Sequence, residues 1–388
     1  MDFLLEVIYY SIDNILTTIF SPLFWIILLV VLFQYIQTGK MEKGILGSYK
    51  RSPFLNTLSS GLYGLIGGIF GSIIFIYFNV FISQKDFLFI FPLSLILSII
   101  HPRFICFSYA GGIISLSNLI LGWPKINVTS IMFIVGVLHL VESLLILLDG
   151  TNSKIPIFME REDHIVGGFA MNRFWPVPFL VFLNNGTMIP VTLIAILGYG
   201  DISLSRLPED KAKETSLYLF VFSIILIILS SKSQNNEVYK YLAAIFAPVA
   251  HEIIIALGKL REERGRYIFK PSRNGLKILD TLPGSIGEKI GFNSGDIIVS
   301  LNGKRIFSKE DIEEILYYRP RILWANVLDM KKGYVSKEYK SSNGEGIKSL
   351  GIIVVSDTSD YQLVVEEAEV PIMRFINKFR GKKSIFRN

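Results

Sequence analysis

The chain has 388 residues, 51% of them hydrophobic, and a mean hydropathy of +0.47, too apolar for a water-soluble protein of this length. Residues 1–258 carry 15 Lys/Arg against 16 Asp/Glu, and residues 259–388 carry 24 against 17, so the basic excess belongs to the C-terminal part and suits an anionic membrane surface. No groove-reading motif supports nucleic acid as the partner, and a single cysteine, Cys106, excludes an internal disulfide framework.

The first segment holds Asp2, Glu6 and Asp13 with no basic region ahead of its apolar run, so it reads as a retained anchor, not a cleavable signal. A membrane-crossing helix needs about 20 mostly apolar residues, and Ile15–Ile36 supplies them. Ser52–Gln84 has no charged residue and contains two overlapping small-residue pairs, Gly64/Gly68 and Gly67/Gly71. Such pairs let another element approach closely. Packing within this chain is the simpler reading, and a homo-oligomer interface is the other. Phe87–Ile100 and Phe104–Trp123 flank His101-Pro102-Arg103 and read as a hairpin of two spans. Ile126–Leu148 follows, with His139 and Glu142 on one helix face. These two suit either an ion relay or a packing hydrogen bond near the helix end, and packing is preferred.

Thr151–Arg173 reads as a polar loop. Phe174–Tyr199 begins FWPVPF, is broken at Asn184-Asn185-Gly186, and reads as one kinked span or two half-helices. Ser216–Ser231 is a further apolar helix. Tyr241–Leu260 contains Pro248, His251 and Glu252 and reads as the weakest spanning candidate or equally as an interfacial helix, the latter fitting the span count. The basic segments Lys40–Arg51 and the stretch after Gly258 are both expected on the cytoplasmic side. The count is then about seven spans, with the N-terminus outside and the C-terminus inside.

From Tyr267 the pattern becomes that of a small β-rich domain. Tyr267–Phe269, Leu276–Leu279, Asp296–Leu301, Arg321–Met330, Tyr334–Tyr339 and Gly351–Val355 read as strands. Ser285–Ile290 suits a short helix closed by Gly291, Asn302-Gly303 a hairpin-type turn, and Ser308 with Asp311 a capping box. Residues 267–357 resemble a bacterial PDZ domain. The resemblance is carried by Gly275-Leu276-Lys277-Ile278, Leu282-Pro283-Gly284-Ser285, Gly291, Gly295-Asp296-Ile297-Ile298 and Asn302-Gly303-Lys304. It implies a groove in which a peptide adds as a strand and its terminal carboxylate meets the amides of a Gly-containing loop. Carried over, Arg273, Asn274 and Gly275 form the loop, Leu276, Lys277 and Ile278 the docking strand, and Ile312, Ile315 and Leu316 the facing helix.

The expected fold is therefore an α-helical polytopic bundle of about seven spans followed by a small α+β PDZ domain, a partly open β-barrel with two helices. Residues 1–240 form the transmembrane region, 241–266 an interfacial helix and basic linker, 267–357 the PDZ domain and 358–388 a basic tail. This architecture resembles the MinJ-type proteins, cell-division topology factors of Gram-positive rods. That resemblance implies a non-enzymatic membrane scaffold enriched at septum or poles, with protein partners, the lipid bilayer and no cofactor.

Three other readings are weaker. An intramembrane metalloprotease needs HExxH, but His251-Glu252 is followed by Ile253, Ile254 and Ile255, and Leu148-Asp149-Gly150 precedes the pair. No metal is expected on this pattern. A serine protease lacks its nucleophile turn. A transporter has only His139/Glu142 and Asn184/Asn185 to line a path.

Overall fold

The computed structural model describes residues 9, 12–13, 15–47, 49–161, 164–184, 188–341 and 344–355; the expected basic tail falls outside them. Seven helices of the N-terminal part can be numbered in chain order. They are α1 (Pro22–Leu46), α2 (Pro53–Tyr77), α3 (Gln84–Ile100), α4 (Phe107–Leu121), α5 (Val128–Asp149), α6 (Pro208–Lys232) and α7 (Glu237–Arg264). Their starts are written locally. Ser21 and Ser52 each cap the helix that follows, accepting the Leu23 and Leu55 amides, with Pro22 and Pro53 at the first helical position. Asn127 and Asn236 cap α5 and α7 in the same way.

Five of these, α1, α2, α5, α6 and α7, are long and apolar enough to cross a membrane. The expectation of about seven spans changes in three places. The hairpin around His101–Arg103 forms, but α3 has 17 residues and α4 has 15. At about 1.5 Å per residue neither reaches the roughly 30 Å of a hydrocarbon core. Tyr241–Leu260, where the sequence suggests an interfacial helix, is the middle of the continuous 28-residue α7, which has membrane-crossing length. Thr151–Arg173 and Phe174–Tyr199, expected as a loop and a span, are instead strands.

Those strands are β2 (Ile155–Arg161), β3 (His164–Asn184) and β4 (Met188–Ser203); β1 is the short Phe81–Ile82. β3 pairs along its length with β4 and, on its other edge, with β2 at one end and β1 at the other. Between those two partners the outer edge of β3 lies against α2. A bare strand edge is costly in apolar surroundings because each unmet amide loses its hydrogen bond. From Phe174 to Leu180 every second residue is accounted for. The Phe174 amide donates to Tyr35 Oη at 3.1 Å, and the Leu180 amide to Ser72 Oγ at 2.9 Å. Between them, Pro176 and Pro178 have no N–H to satisfy. The carbonyls of these prolines face Gly64 and Gly68, where any Cβ would overlap them. The Gly64/Gly68 pair thus admits a strand, and Gly67 and Gly71 face Val141 of α5. The odd-numbered side chains Trp175, Val177, Phe179 and Val181 point the other way, into a core shared with Phe75, Val137 and Leu145.

A fully buried ion pair fixes the end of this layer. Asp149, last residue of α5, accepts from the Arg173 guanidinium, from Trp175 Nε1 at 2.7 Å and from Asn152 Nδ2 at 2.6 Å. Arg173 also donates to Ser153 Oγ at 3.0 Å and lies over the Tyr35 ring. The Leu-Asp-Gly motif therefore holds the β3 strand, with its carboxylate fully engaged.

The C-terminal sheet has the order β10-β5-β6-β8-β9, where β5 is Leu276–Thr281, β6 Ile297–Leu301, β8 Ile322–Asp329, β9 Gly333–Lys340 and β10 Ile352–Val355. The short β7 (Lys304–Arg305) pairs with β6. Helices α8 (Ile286–Ile290) and α9 (Lys309–Tyr317) complete it. Gly291 closes α8 at φ +81°, Asn302 and Gly303 both turn through positive φ, and the Ser308/Asp311 capping box is present. Tyr267–Phe269 is not a strand, yet it is stitched to the N-terminal part. Ile268 N–H donates to the Leu204 carbonyl, and Gly167 N–H to the Phe269 carbonyl at 2.9 Å.

The two parts are packed together. Leu279, Val355 and Phe269 share a buried cluster with Phe158 and Phe169 of the β2–β3 hairpin, and Lys50 forms an ion pair with Asp280. The basic α1–α2 loop and the C-terminal sheet thus lie on the same side of the helical layer.

The edge argument makes a prediction. Ser72→Ala removes the acceptor of the Leu180 amide, and Pro178→Ala adds a new amide opposite Gly68. Each is expected to destabilise the detergent-solubilised protein by about 1–3 kcal/mol, seen as a lower melting temperature. Wild-type melting in both variants would contradict this account of the strand edge.

Candidate peptide-binding site

The sequence places its docking strand at Leu276–Ile278, but the structure gives both edges of that strand a partner. β5 pairs with β6 through Leu276↔Ile298 and Lys277↔Ile297, and with β10 from Thr281↔Ile352 to Lys277↔Val355. No edge is left for an incoming strand unless β10 is displaced. Leu276, Ile278, Ile312 and Leu316 are buried together in the domain core, with Ile315 packed at its margin. Lys277 is half-buried, and its ammonium donates to the Ile268 carbonyl at 2.7 Å. Burial holds its pKa below the ordinary lysine value.

Gly275 is needed for a different reason from the one expected. Its φ is +150°, and a Cβ would overlap the Ile298 carbonyl oxygen of the neighbouring strand. The glycine permits β5 and β6 to approach. Arg273 and Asn274 are exposed in the turn before it, where the Asn274 amide donates to Ser272 Oγ at 3.2 Å.

The outermost strands of the sheet are β9 and β10. β9 carries Lys337, Glu338 and Lys340, the charged pattern that blunts an edge against pairing. β10 reads Ile-Ile-Val-Val and has no charge. Its faces alternate: Ile352 and Val354 pack on the domain core, and Ile353 and Val355 on the cluster shared with the β2–β3 hairpin.

The segment ahead of β10 is a Gly-containing loop with Gly344, Gly346 and Gly351, the first and last at positive φ. The Leu350 carbonyl accepts from the Gly287 amide at 2.7 Å, and the Gly351 carbonyl from the Leu282 amide at 2.8 Å. A trans peptide plane points its N–H opposite its carbonyl. The Gly351 and Ile352 amides therefore aim away from β5, toward the outer edge, and that of Gly351 meets Ser349 Oγ at 3.2 Å. The same loop is anchored to the end of α9, since the Ile347 amide donates to the Pro320 carbonyl at 2.9 Å. Lys348 and Ser349 are exposed on it. A loop with outward amides, an apolar strand and the helix carrying Ile312 and Ile315 lie together here.

The antiparallel register sets Arg273 apart from this place. Ile352 is opposite Thr281 and Val355 opposite Lys277. The Gly351 loop and the Arg273 turn are thus at opposite ends of β5, roughly 15–20 Å apart at about 3.3 Å per residue. Lys348, not Arg273, is the cation of the outward-amide loop. Ser349-Leu350-Gly351-Ile352 follows the domain's helices, whereas the sequence places the Gly-containing loop ahead of them.

Elsewhere, a cavity of about 1210 Å³ opens at the far end of the helical layer, lined among others by Tyr77, Asp86, Asn127 and Glu237. Asn184 borders the β3–β4 turn, whose residues 185–187 lie outside the described ones. The structure also gathers Cys106, His139 and His251, whose ligand atoms all lie within 4.8 Å of one another.

The family model for the PDZ domain matches residues 278–322, from within β5 to the start of β8. The structure continues the same sheet through β9 and β10, beyond the match. No curated protein matches the chain. The C-terminal part therefore contains a PDZ domain, a protein-interaction module, joined to helices of membrane-crossing length.

Gly275→Ala is expected to loosen the β5–β6 pairing and expose the domain to limited proteolysis in the full-length protein. A variant as resistant as wild type would show that the close approach at Ile298 can relax.

Proposed function

We propose that the chain is a membrane-embedded adaptor that recruits protein partners through its PDZ domain, and that its role is non-enzymatic. The observation that carries this reading is the PDZ domain matched at residues 278–322, in a chain with five helices of membrane-crossing length. PDZ domains take peptides beside a Gly-containing loop, with apolar positions for alternate side chains, and here the Gly351 loop precedes the apolar strand β10. Engagement of Asp149 by Arg173 and Trp175 supports a structural role for the Leu-Asp-Gly motif.

The adaptor would sit in the cell membrane with the PDZ domain in the cytoplasm. The basic α1–α2 loop contacts that domain, and Lys/Arg-rich segments favour the cytoplasmic side. Four of the five long apolar helices lie between the two basic segments, an even number that returns the chain to the same side. Division-site selection is the proposed setting. Its support is the architectural resemblance to MinJ-type proteins, a helical membrane part with one C-terminal PDZ domain.

Affinity capture of the full-length protein from crosslinked cells tests this reading. Ile315→Glu, which places a charge at the groove margin, and Lys348→Glu should each reduce partner recovery about tenfold, a loss of about 1.4 kcal/mol. Arg273→Ala should leave recovery unchanged. Undiminished recovery with Ile315→Glu would contradict the groove. A fluorescent fusion should concentrate at septa or poles, and an even membrane signal would contradict the division setting.

A further inference from the structure

Cys106, His139 and His251 come from the turn before α4, from α5 and from α7, and they meet inside the helical layer. Cys106 Sγ lies 3.1 Å from His139 Nε2 and 3.7 Å from His251 Nε2. His139 is buried, and the other two are half-buried.

The outer nitrogens fix which way each ring presents its lone pair. His139 Nδ1 is 2.7 Å from the Val135 carbonyl. A carbonyl only accepts, so Nδ1 carries the proton and a neutral His139 turns a bare Nε2 toward the sulfur. His251 Nδ1 is 3.2 Å from Tyr109 Oη, which gives its own proton to Glu252 Oε2 at 2.7 Å. The hydroxyl therefore accepts from His251 Nδ1–H, and Nε2 of this ring is bare too. Glu252 is held in turn by Arg103 at 3.1 Å.

Two imidazole lone pairs thus converge on one thiol, which has one proton to offer. Hydrogen bonding serves only one of them. A divalent cation held by a thiolate and two neutral imidazoles serves all three. The surroundings already suit a thiolate, with Ser108 Oγ 3.1 Å and the Ser108 amide 3.5 Å from Sγ. We propose that Cys106, His139 and His251 form a mononuclear Zn²⁺ site in the membrane-embedded part of this protein.

The spacing supports it. Tetrahedral zinc with bonds of about 2.3 Å to sulfur and about 2.0–2.1 Å to nitrogen places S and N roughly 3.5 Å apart, and the two observed separations bracket that value. Each ring has the outer partner that metal-bound histidines commonly keep, a carbonyl for His139 and a Tyr109–Glu252 relay for His251. Soft sulfur with two imidazoles favours zinc over magnesium or calcium. Glu142 lies three residues beyond His139 on the same face of α5. When ionised it joins the thiolate in balancing the two positive charges, which matters among apolar helices. Three protein ligands leave a fourth position for a water or another oxygen donor.

The signal in the sequence is dispersed. His251-Glu252 lacks a second histidine one turn on, and the other two ligands stand 112 and 145 residues upstream, as the numbering of His139 and Cys106 shows.

The test uses the full-length protein, purified in detergent without a polyhistidine tag and loaded with Zn²⁺. About one equivalent of zinc should survive desalting, and Cys106→Ser and His139→Gln should each reduce it to background. Cys106 is the chain's single cysteine, so maleimide labelling reports the site in wild-type protein, independently of how the variants fold. Labelling should slow on zinc loading and recover when a chelator strips the metal. Replacement by Co²⁺ should give thiolate-to-cobalt charge-transfer absorption that Cys106→Ser abolishes. Failure of wild type to retain zinc or cobalt, with one labelling rate with and without chelator, would overturn the proposal in favour of a metal-free thiolate–imidazolium pair. Zinc retained equally by both variants would overturn it as well.

Discussion

A long strand laid among apolar helices has to dispose of its free edge, and much of this structure follows from how β3 does so. One edge is zipped to β4. The other runs past α2, where water is not available to take unmet amides. The solution alternates a hydroxyl, two prolines and a second hydroxyl, from Tyr35 to Ser72. It also dictates the glycines of α2, since only a glycine lets the Pro176 and Pro178 carbonyls come so close. Close Cα–H···O approach is a weak attraction, but it removes the steric bar to seating a strand on a helix.

That arrangement explains which parts of the fold were legible. α1, α2, α5 and α6 announce themselves as long apolar runs, the first three with Ser-Pro or Asn starts, because a helix satisfies its own backbone and needs only apolar side chains. FWPVPF defeats the same reasoning. Its apolar length suggests a span, while its prolines are there to delete amides on a strand edge. Hydropathy reports what side chains prefer and says nothing about which backbone partner is within reach. The length of α7 is hard to read for a related reason: Pro248, His251 and Glu252 look costly in isolation, yet Pro248 packs closely at Gly112, and His251 and Glu252 are partnered by Tyr109.

The PDZ domain was legible where its turns are specific. Gly291, Asn302-Gly303 and the Ser308/Asp311 box behave as read, since each encodes a local geometry. The pairing of β5 with β10 was not, because strand order in a sheet is a long-range property. Gly275-Leu276-Lys277-Ile278 has the look of a binding strand, but its position between β6 and β10 is set by Ile352–Val355, more than seventy residues later. Docking of this sheet on the β2–β3 hairpin, through Phe269, Phe169 and Lys50–Asp280, gives the edge a fixed orientation relative to the helices.

The central functional claim is that partners meet the domain beside the Lys348–Gly351 loop. Site-specific photo-crosslinking in living cells addresses it most directly, with the photoreactive residue placed at Lys348 beside the outward amides or at Glu338 on the charged β9 edge, both exposed. The account predicts a discrete crosslinked partner band from position 348 and none from position 338. Crosslinks from 338 alone would contradict it and move the working surface to the other side of the sheet.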